Sequence, residues 1–314
     1  MLMKTMKVMR FNDSSELPAL IEGSASIPEP KSGEILVRVH AAGVTPTELL
    51  WYPTTHKRDG SKRIGAIPGH EFSGVVEAVG AEVESGIIGQ EVYGMSDWFA
   101  EGASAEYCIS TPSAVAKKPS HLSHVEAATV PIGALTAWQG LLERANLRSG
   151  ERVLIHGGSG AVGVFAIQLA HRAGAHVVTT ASPRNFDFLS KLGANELIDY
   201  RTGRFEDTCG PVDVVFDGVG GETLKKSWNL LKPDGRMVTI AANSEGTKDE
   251  RIEKAFFIVE PNQKHLTEIA GLIDKGELQC FVDATVHVSQ ASDAYCGKLA
   301  NRKGRGKVVL SILG

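Results

Sequence analysis

The sequence predicts an α/β protein in which a doubly wound parallel sheet is set into a β-rich chain. Three observations carry that prediction. A glycine motif, Gly158-Ser-Gly160-Ala-Val-Gly163, stands between an apolar run and a helical pattern. From about residue 120 onward, apolar runs alternate with helical segments. Before that point there is no such alternation, only strand-like runs separated by glycines. Regular βα alternation implies parallel strands with helices on both faces, because each crossover must pack back onto the sheet.

Taken in order, 34–40, 74–79 and 105–109 read as strands, with turns at Gly80, Gly86, Gly89 and Gly102. Helices are predicted across 125–128 and 135–143. Strands follow at 152–156, 175–180 and 212–216, the last strongly apolar as Val212-Asp-Val-Val-Phe216. Another is expected at 236–241, and 256–259 (Phe-Phe-Ile-Val) is a candidate sixth. The tail reads as a helix near 265–275 and a strand at 307–310.

The motif itself has a specific physical content. Val153-Leu154-Ile155 feeds into it as a buried strand, and a helical pattern follows through Phe165–Ala170 to Gly174. In that setting Gly158 permits a tight turn. Gly160 lets backbone amides approach a pyrophosphate, and Gly163 lets the helix pack close to the strand. The amides at the helix N-terminus and the helix dipole both favour the anion. A dinucleotide site is therefore expected, with Ser159 in the turn.

The end of the second strand reads on the choice of cofactor. A site for NAD usually places Asp or Glu there, on the adenosine ribose hydroxyls. Here the residues are Thr179-Thr-Ala-Ser182-Pro-Arg184-Asn. A carboxylate would repel a 2′-phosphate, whereas Ser182 can donate a hydrogen bond and Arg184 a charged planar fork. NADPH is thus favoured over NADH. The alternative is that Ser182 caps a helix beginning near Pro183, with Arg184 merely solvated.

Composition bounds the class. The chain has 314 residues, enough for two domains, with 42% hydrophobic residues and a net charge of −4. That balance offers no electrostatic reason for nucleic acid or an anionic membrane as a partner, and no apolar run is long enough to span a membrane. Cys108, Cys209, Cys280 and Cys296 are scattered and include no C-x-x-C pair, which fits a reducing compartment. The first residues, Met1-Leu-Met-Lys-Thr-Met-Lys-Val, show no signal-peptide pattern, so a cytoplasmic location is expected.

Further marks run along the chain: Ala42-Gly-Val-Thr-Pro-Thr47, Ile67-Pro-Gly-His-Glu-Phe-Ser-Gly-Val-Val76 and Gly102-Ala-Ser-Ala-Glu-Tyr107. Ala128-Thr-Val-Pro131, Leu135-Thr-Ala-Trp138, Phe216-Asp-Gly-Val-Gly220, Phe257-Ile-Val-Glu-Pro261 and Arg305-Gly-Lys-Val-Val-Leu310 complete the set. Together and in this order they resemble the medium-chain dehydrogenase/reductase superfamily. Within it, the chain looks like the zinc-free quinone oxidoreductase group, which includes zeta-crystallin and the alkenal/enone reductases. The resemblance implies a Rossmann dinucleotide-binding domain (121–265) inserted in a β-rich GroES-like catalytic domain (1–120 and 266–314). It also implies a homodimer, joined through 256–259 as an apolar edge strand of the cofactor sheet.

Zinc-dependent relatives carry a cysteine after the first Ala-Gly-Val, a His-Glu pair, and a later cysteine or carboxylate. Here His70-Glu71 remain, but Thr45 and Gly133 occupy the other positions. One histidine does not make a three-ligand catalytic site, so no metal is expected. His70 is better read as a structural residue in the turn before a strand. Without a Lewis acid, hydride transfer to a simple ketone becomes hard. A quinone or an α,β-unsaturated carbonyl is an easier acceptor because conjugation spreads the developing charge.

For cofactor contacts the resemblance points to Thr136 beside the nicotinamide, and to Gly160, Ala161 and Val162 at the pyrophosphate. It places Ser182 and Tyr200 at the adenosine phosphate, with Arg184 nearby. Gly218, Val219 and Ala241 follow later strands, and Phe257 and Val259 lie near the nicotinamide. Tyr52, in Leu50-Trp-Tyr-Pro-Thr-Thr-His56, is the candidate catalytic donor for the substrate oxygen. The alternative is a Trp51–Tyr52 pair that packs a loop against the core, and His56 and Lys57 read as solvent-facing. The expected function is NADPH-dependent reduction of a small quinone or enone. Enoyl-thioester reduction and a non-catalytic, crystallin-like NADPH-binding role are the alternatives.

Overall fold

A computed structural model describes residues 4–12 and 19–313. The N-terminal reading above rests partly on residues 1–3, which lie outside that range. The described residues fall into two compact units. One gathers Met1–Ile132, Pro261–Lys303 and Lys307–Gly314; the other gathers Gly133–Glu260 and Gly304–Gly306.

The first unit opens with an antiparallel hairpin, β1 (Thr5–Phe11) and β2 (Leu20–Ser26). Next come β3 (Ile35–Val44), the short helix α1 (Tyr52–Thr55), β4 (Glu71–Val79) and β5 (Glu91–Met95). β6 (Tyr107–Ser110) and β7 (Val115–Lys117) follow. Helix α2 (His124–Ala127) begins in a capping box: Ser123 Oγ accepts from the Glu126 amide, and Glu126 Oε2 accepts from the Ser123 amide. Two orphan donors are satisfied reciprocally, which fixes the start of this short helix. Helix α3 (Pro131–Trp138), which belongs to the second unit from Gly133 onward, opens on a proline, whose missing N–H costs nothing there, and runs into a π-helical turn at Gln139–Arg144.

The second unit is the βα alternation. Its strands are β8 (Arg152–His156), β9 (His176–Ala181), β10 (Glu196–Asp199), β11 (Val212–Asp217) and β12 (Leu231–Thr239). Between and after them lie α4 (Gly163–Arg172), α5 (Phe186–Lys191), α6 (Phe205–Cys209), α7 (Gly221–Ser227) and α8 (Glu250–Ala255). The sheet order is β10-β9-β8-β11-β12, and every pairing is parallel. Val153, Leu154, Ile155, Val177, Val178, Val214 and Val215 are fully buried. Their unbroken apolar runs fit strands covered on both faces. The order reverses on either side of β8, so a crevice opens beyond the carboxyl ends of the strands at that point.

The chain then returns to the first unit with α9 (Gln263–Asp274), β13 (Val282–His287), α10 (Ala291–Tyr295) and β14 (Lys307–Ser311). This completes a sheet ordered β13-β14-β3-β4-β5-β7, with β6 also on β3. Only β13 and β14 pair in parallel; the rest is antiparallel. Ile35, Val37, Val39, Phe72, Val76 and Tyr295 form the centre of its core. The buried Tyr93 hydroxyl donates to the Leu266 carbonyl at 2.6 Å and ties α9 to this unit, and burial pushes the Tyr93 phenol well up from its ordinary pKa.

Two expectations are corrected here. Segment 256–259 is not a strand: its only pairing among the described residues is a single bridge between Phe256 and Thr239. The reason is local. Gln139, itself buried, donates through Nε2 to the Glu260 carbonyl at 2.7 Å and accepts from the Glu260 amide at 3.0 Å. The Gln139 side chain thus fixes the chain just beyond the segment, while Phe257 and Val259 are buried and the Phe257 amide donates to the Thr239 carbonyl at 3.3 Å. The strand expected at 236–241 starts earlier, at Leu231, and ends at Thr239, where the Thr239 hydroxyl is drawn to Asp217.

Candidate functional site

The second unit carries a cleft of about 660 Å³ at the carboxyl ends of β8, β9, β10 and β11. That is the size range of a cofactor site and the place the strand order predicts for one. Its floor is the glycine turn. Gly157, not Gly158, takes the left-handed conformation, with φ +77°. Gly158 serves close packing instead: a Cβ there would lie 2.2 Å from Thr179 Oγ1. A Cβ on Gly163 would lie 2.3 Å from the Gly157 carbonyl, so the third glycine does bring α4 against the turn. The Gly160 amide closes the turn onto Gly157 at 3.0 Å. Gly160 also forms a parallel bridge with Gly306, which engages the Ala161 amide, whereas the Val162 amide donates to no backbone carbonyl among the described residues. A free amide ahead of α4 is the kind of donor a pyrophosphate requires.

Beyond β9 the chain makes a tight turn, with the Asn185 amide donating to the Ser182 carbonyl at 2.9 Å. Ser182 stands at the N-terminus of the 3₁₀ turn Pro183–Asn185, but its side chain makes no capping hydrogen bond. The capping alternative is therefore set aside. Ser182, Arg184 and Tyr200 all line the cleft. Arg184 takes part in no ion pair among the described residues, and its guanidinium lies over Gly304. Arg204 and Lys226 also line the cleft, both engaged by Glu206 Oε1 at 3.0 and 3.4 Å.

The wall after β11 is shaped by Asp217. Its buried carboxylate accepts from the amides of Val219 at 3.1 Å and Gly220 at 3.0 Å, and from Thr239 Oγ1 at 2.8 Å. That turn presents Gly218 and Val219 to the cleft. His156 lines it from the end of β8. Ser227 Oγ donates to the Thr223 carbonyl, so it accepts from His156 Nε2 at 2.8 Å; Nδ1 then accepts from Thr180 Oγ1 at 3.0 Å. The ring is held neutral: burial pulls its pKa down to about 4, with the Asp217 charge opposing.

Of the expected cofactor residues, Ser159, Gly160, Ser182, Arg184, Tyr200, Gly218 and Val219 line this cleft. Gly158, Ala161 and Val162 belong to the turn without facing the cavity. Thr136, Ala241, Phe257 and Val259 are buried in the same unit away from it; the Phe257 ring lies under the Arg144 guanidinium at 4.6 Å. Sequence reasoning missed His156, Asn185, Arg204, Glu206 and Lys226 as cleft residues. His156 was findable, since it stands two residues before the first motif glycine. The others sit on loops with no pattern to mark them.

The first unit holds a buried polar cluster around the His70-Glu71 pair. Glu48 Oε1 lies 2.5 Å from His70 Nδ1 and accepts from the Gly69 amide. Glu71 accepts from the Ile132 amide at 3.0 Å and pairs with Lys307. The Lys307 ammonium also lies 3.2 Å from Thr45 Oγ1. Burial pulls its pKa down to about 7, and the Glu48 charge opposes this. Thus Thr45, standing where relatives have a metal-binding cysteine, faces a cation belonging to the chain.

Tyr52 opens α1 with its side chain half exposed. Its ring stacks on His56, centroids 4.4 Å apart, while Trp51 meets Trp98 edge-on. Trp51 and Tyr52 therefore do not pack as one unit. Lys57 is exposed as expected, but His56 is half-buried beneath the Tyr52 ring and takes part in a bridge with Lys62.

The fold agrees with what the chain resembles. Residues 31–120 match the alcohol dehydrogenase GroES-like domain, and residues 192–310 match the zinc-binding dehydrogenase family. A probable zinc-binding oxidoreductase, mitochondrial, from Arthroderma benhamiae is 32% identical over 91% of this chain and 90% of its own length. The 2-methylene-furan-3-one reductase of Solanum lycopersicum is 32% identical over 97% of this chain and 79% of its own. The solved quinone oxidoreductase of Coxiella burnetii covers 99% of this chain and 100% of its own at 30% identity, with a TM-score of 0.86. No described helix is long and apolar enough to cross a membrane. The chain belongs to the medium-chain dehydrogenase/reductase superfamily, in its quinone oxidoreductase-like group, and is an oxidoreductase built for a nicotinamide cofactor.

Proposed function

We propose that the protein is an NADPH-dependent reductase of quinones or α,β-unsaturated carbonyls that works without zinc. The observation that carries the cofactor choice is the end of β9. Ser182, uncapped, and Arg184, unpaired, line the cleft where a site for NADH would present a carboxylate. Two carboxylates also line the cleft, and both are paired: Glu206 is held between Arg204 and Lys226, and Glu222 pairs with Lys225 at 2.8 Å. When bound, the nicotinamide supplies a hydride. The chain contributes the amides of the glycine turn for the pyrophosphate, the Ser182–Arg184 pair for the 2′-phosphate, and a neutral His156 in the wall. NADPH should bind more tightly than NADH, and Arg184→Ala should narrow the gap by about 1–2 kcal/mol, the scale of one charge-assisted hydrogen bond. Fluorescence titration of both cofactors checks this; equal dissociation constants in the unmutated protein would refute it.

The acceptor class is supported by the relatives' names, which specify a quinone and an enone, and by the first unit's polar cluster. Thr45 faces Lys307, and the His70 ring is bound by Glu48, so the ligand set of a catalytic zinc is not assembled from these residues. Activity is expected to survive exhaustive chelation, with no stoichiometric zinc on elemental analysis. Loss on chelation and recovery with zinc would contradict the proposal. Tyr52 is the proposed donor to the acceptor's oxygen: its hydroxyl makes no hydrogen bond among the described residues. Turnover across quinones, alkenals, saturated aldehydes and enoyl thioesters tests the substrate class directly.

The protein is further proposed to be a homodimer. With 256–259 excluded as a strand, the support is the outer side of β12, which carries a single bridge among the described residues and offers open backbone for pairing. Light scattering at micromolar concentration should give twice the 33.5 kDa monomer mass, and the monomer value would count against it.

A further inference from the structure

We propose that Arg305 is a specificity-determining positioning residue for the 2′-phosphate, acting by holding the Ser182–Asn185 loop in its binding shape. The inference rests on the NADPH reading and adds to it a residue that does not itself line the cleft.

Residues Gly304–Gly306 pack with the second unit, although they are about 120 residues from the loop they touch. Arg305 Nε donates to Asn185 Oδ1 at 2.9 Å, and its Nη2 donates to the Arg184 carbonyl at 3.2 Å. The same guanidinium lies 4.6 Å over the Phe188 ring. Asn185 is buried, and its Nδ2 donates back to the Gly304 carbonyl at 3.3 Å. Arg305 thus spends its planar fork on neutral acceptors of one loop, and none of its partners among the described residues is a carboxylate. A fork with fixed geometry is suited to holding a backbone in one shape, which a lysine cannot reproduce.

Two neighbours extend the contact. The Gly306 amide donates to the Ser159 carbonyl at 2.9 Å, so the same three residues also brace the pyrophosphate turn. At Gly304, with φ +74°, a Cβ would lie 2.3 Å from Arg184 Nη2; the missing side chain is the space the Arg184 guanidinium occupies. Arg184 and Ser182 are therefore presented to the cleft by a loop that is pinned from behind. Preorganisation of this kind lowers the ordering cost of binding for whatever the loop contacts. The contact special to this loop is the 2′-phosphate.

The test compares 2′,5′-ADP with 5′-AMP by calorimetric titration, since the two differ only in that phosphate and neither needs catalysis. Arg305→Met should weaken 2′,5′-ADP about tenfold, the factor of one charge-assisted hydrogen bond, while 5′-AMP changes less than about twofold. Asn185→Ala should do the same, and the double variant should lose little more than the worse single, as expected of coupled residues. Arg305→Lys keeps the charge but not the fork. It should remain several-fold impaired, and it carries the reading if the methionine variant does not fold. Full rescue by lysine would assign the effect to charge at a distance and overturn the positioning role. Parallel weakening of both ligands would also overturn it, as a general loss of structure. A wild-type protein with no preference for 2′,5′-ADP over 5′-AMP would instead remove the NADPH reading itself.

Discussion

Replacing Lys307 with methionine is expected to cost about 3–5 kcal/mol of unfolding free energy, the range for removing one partner of a buried ion pair. Lys307 and Glu71 are both almost wholly inaccessible to solvent. With the ammonium gone, the Glu71 carboxylate keeps the Ile132 amide as a donor at 3.0 Å, and an uncompensated charge stays in the core. A second substitution separates charge from packing. Glu71→Gln placed on Lys307→Met should recover part of the loss, because the buried charge is then removed. Urea unfolding at pH 6 is the suitable measurement: burial pulls Lys307 to about 7, so below that the ammonium is protonated in the folded state. A loss under about 1 kcal/mol in the single variant would mean that the pair is solvated and contributes as a surface bridge does.

That pair also shows what the sequence made legible and what it did not. The run at 307–310 reads correctly as a strand, yet nothing in it tells that its first lysine points inward to a residue 236 positions earlier. The β-rich character of the first unit was equally legible from 34–40, 74–79 and 105–109. Strands β1, β2, β5, β7 and β13 were not named. β2, as Leu-Ile-Glu-Gly-Ser-Ala-Ser, has little apolar alternation because most of it is not buried. β10 is only four residues long and reads no differently from a loop. Period-based reasoning detects faces that are buried over several residues, which β2 and β10 lack.

In the cofactor unit the legible part was local. The strand, glycine turn and helix are contiguous, so 152–172 could be read as one piece, and Ser182 and Arg184 follow directly on the next strand. What was lost is long-range. The amide pairing of Gln139 with Glu260 fixes the chain just beyond 256–259, and no apolar pattern records it. Arg305 on Asn185 is another such contact, as is Glu206 between Arg204 and Lys226. Even within the motif, the left-handed position fell on Gly157, outside the G-x-G-x-x-G frame. The frame marks where backbone must come close, and a neighbouring glycine is free to make the turn.

The largest kinetic effect is expected in the choice of acceptor. On the proposed zinc-free mechanism no Lewis acid polarises the oxygen, so the acceptor's own conjugation must carry the developing charge. The enzyme should reduce an enone at its carbon–carbon double bond and leave the matching saturated ketone nearly untouched. Tyr52→Phe tests the proposed donor with little disturbance to the fold. The ring is half exposed and stacks on His56, and the hydroxyl has no partner to lose among the described residues. If Tyr52 stabilises the enolate oxygen, the loss should lie in kcat, because that interaction strengthens only as charge develops. A fall of about 10–10³-fold matches removal of one oxyanion-type donor. A change confined to KM would make Tyr52 a binding residue, and no change would leave protonation to solvent. Efficient reduction of saturated ketones would be more damaging than either, since it would show that the site polarises an unconjugated carbonyl by means other than those proposed.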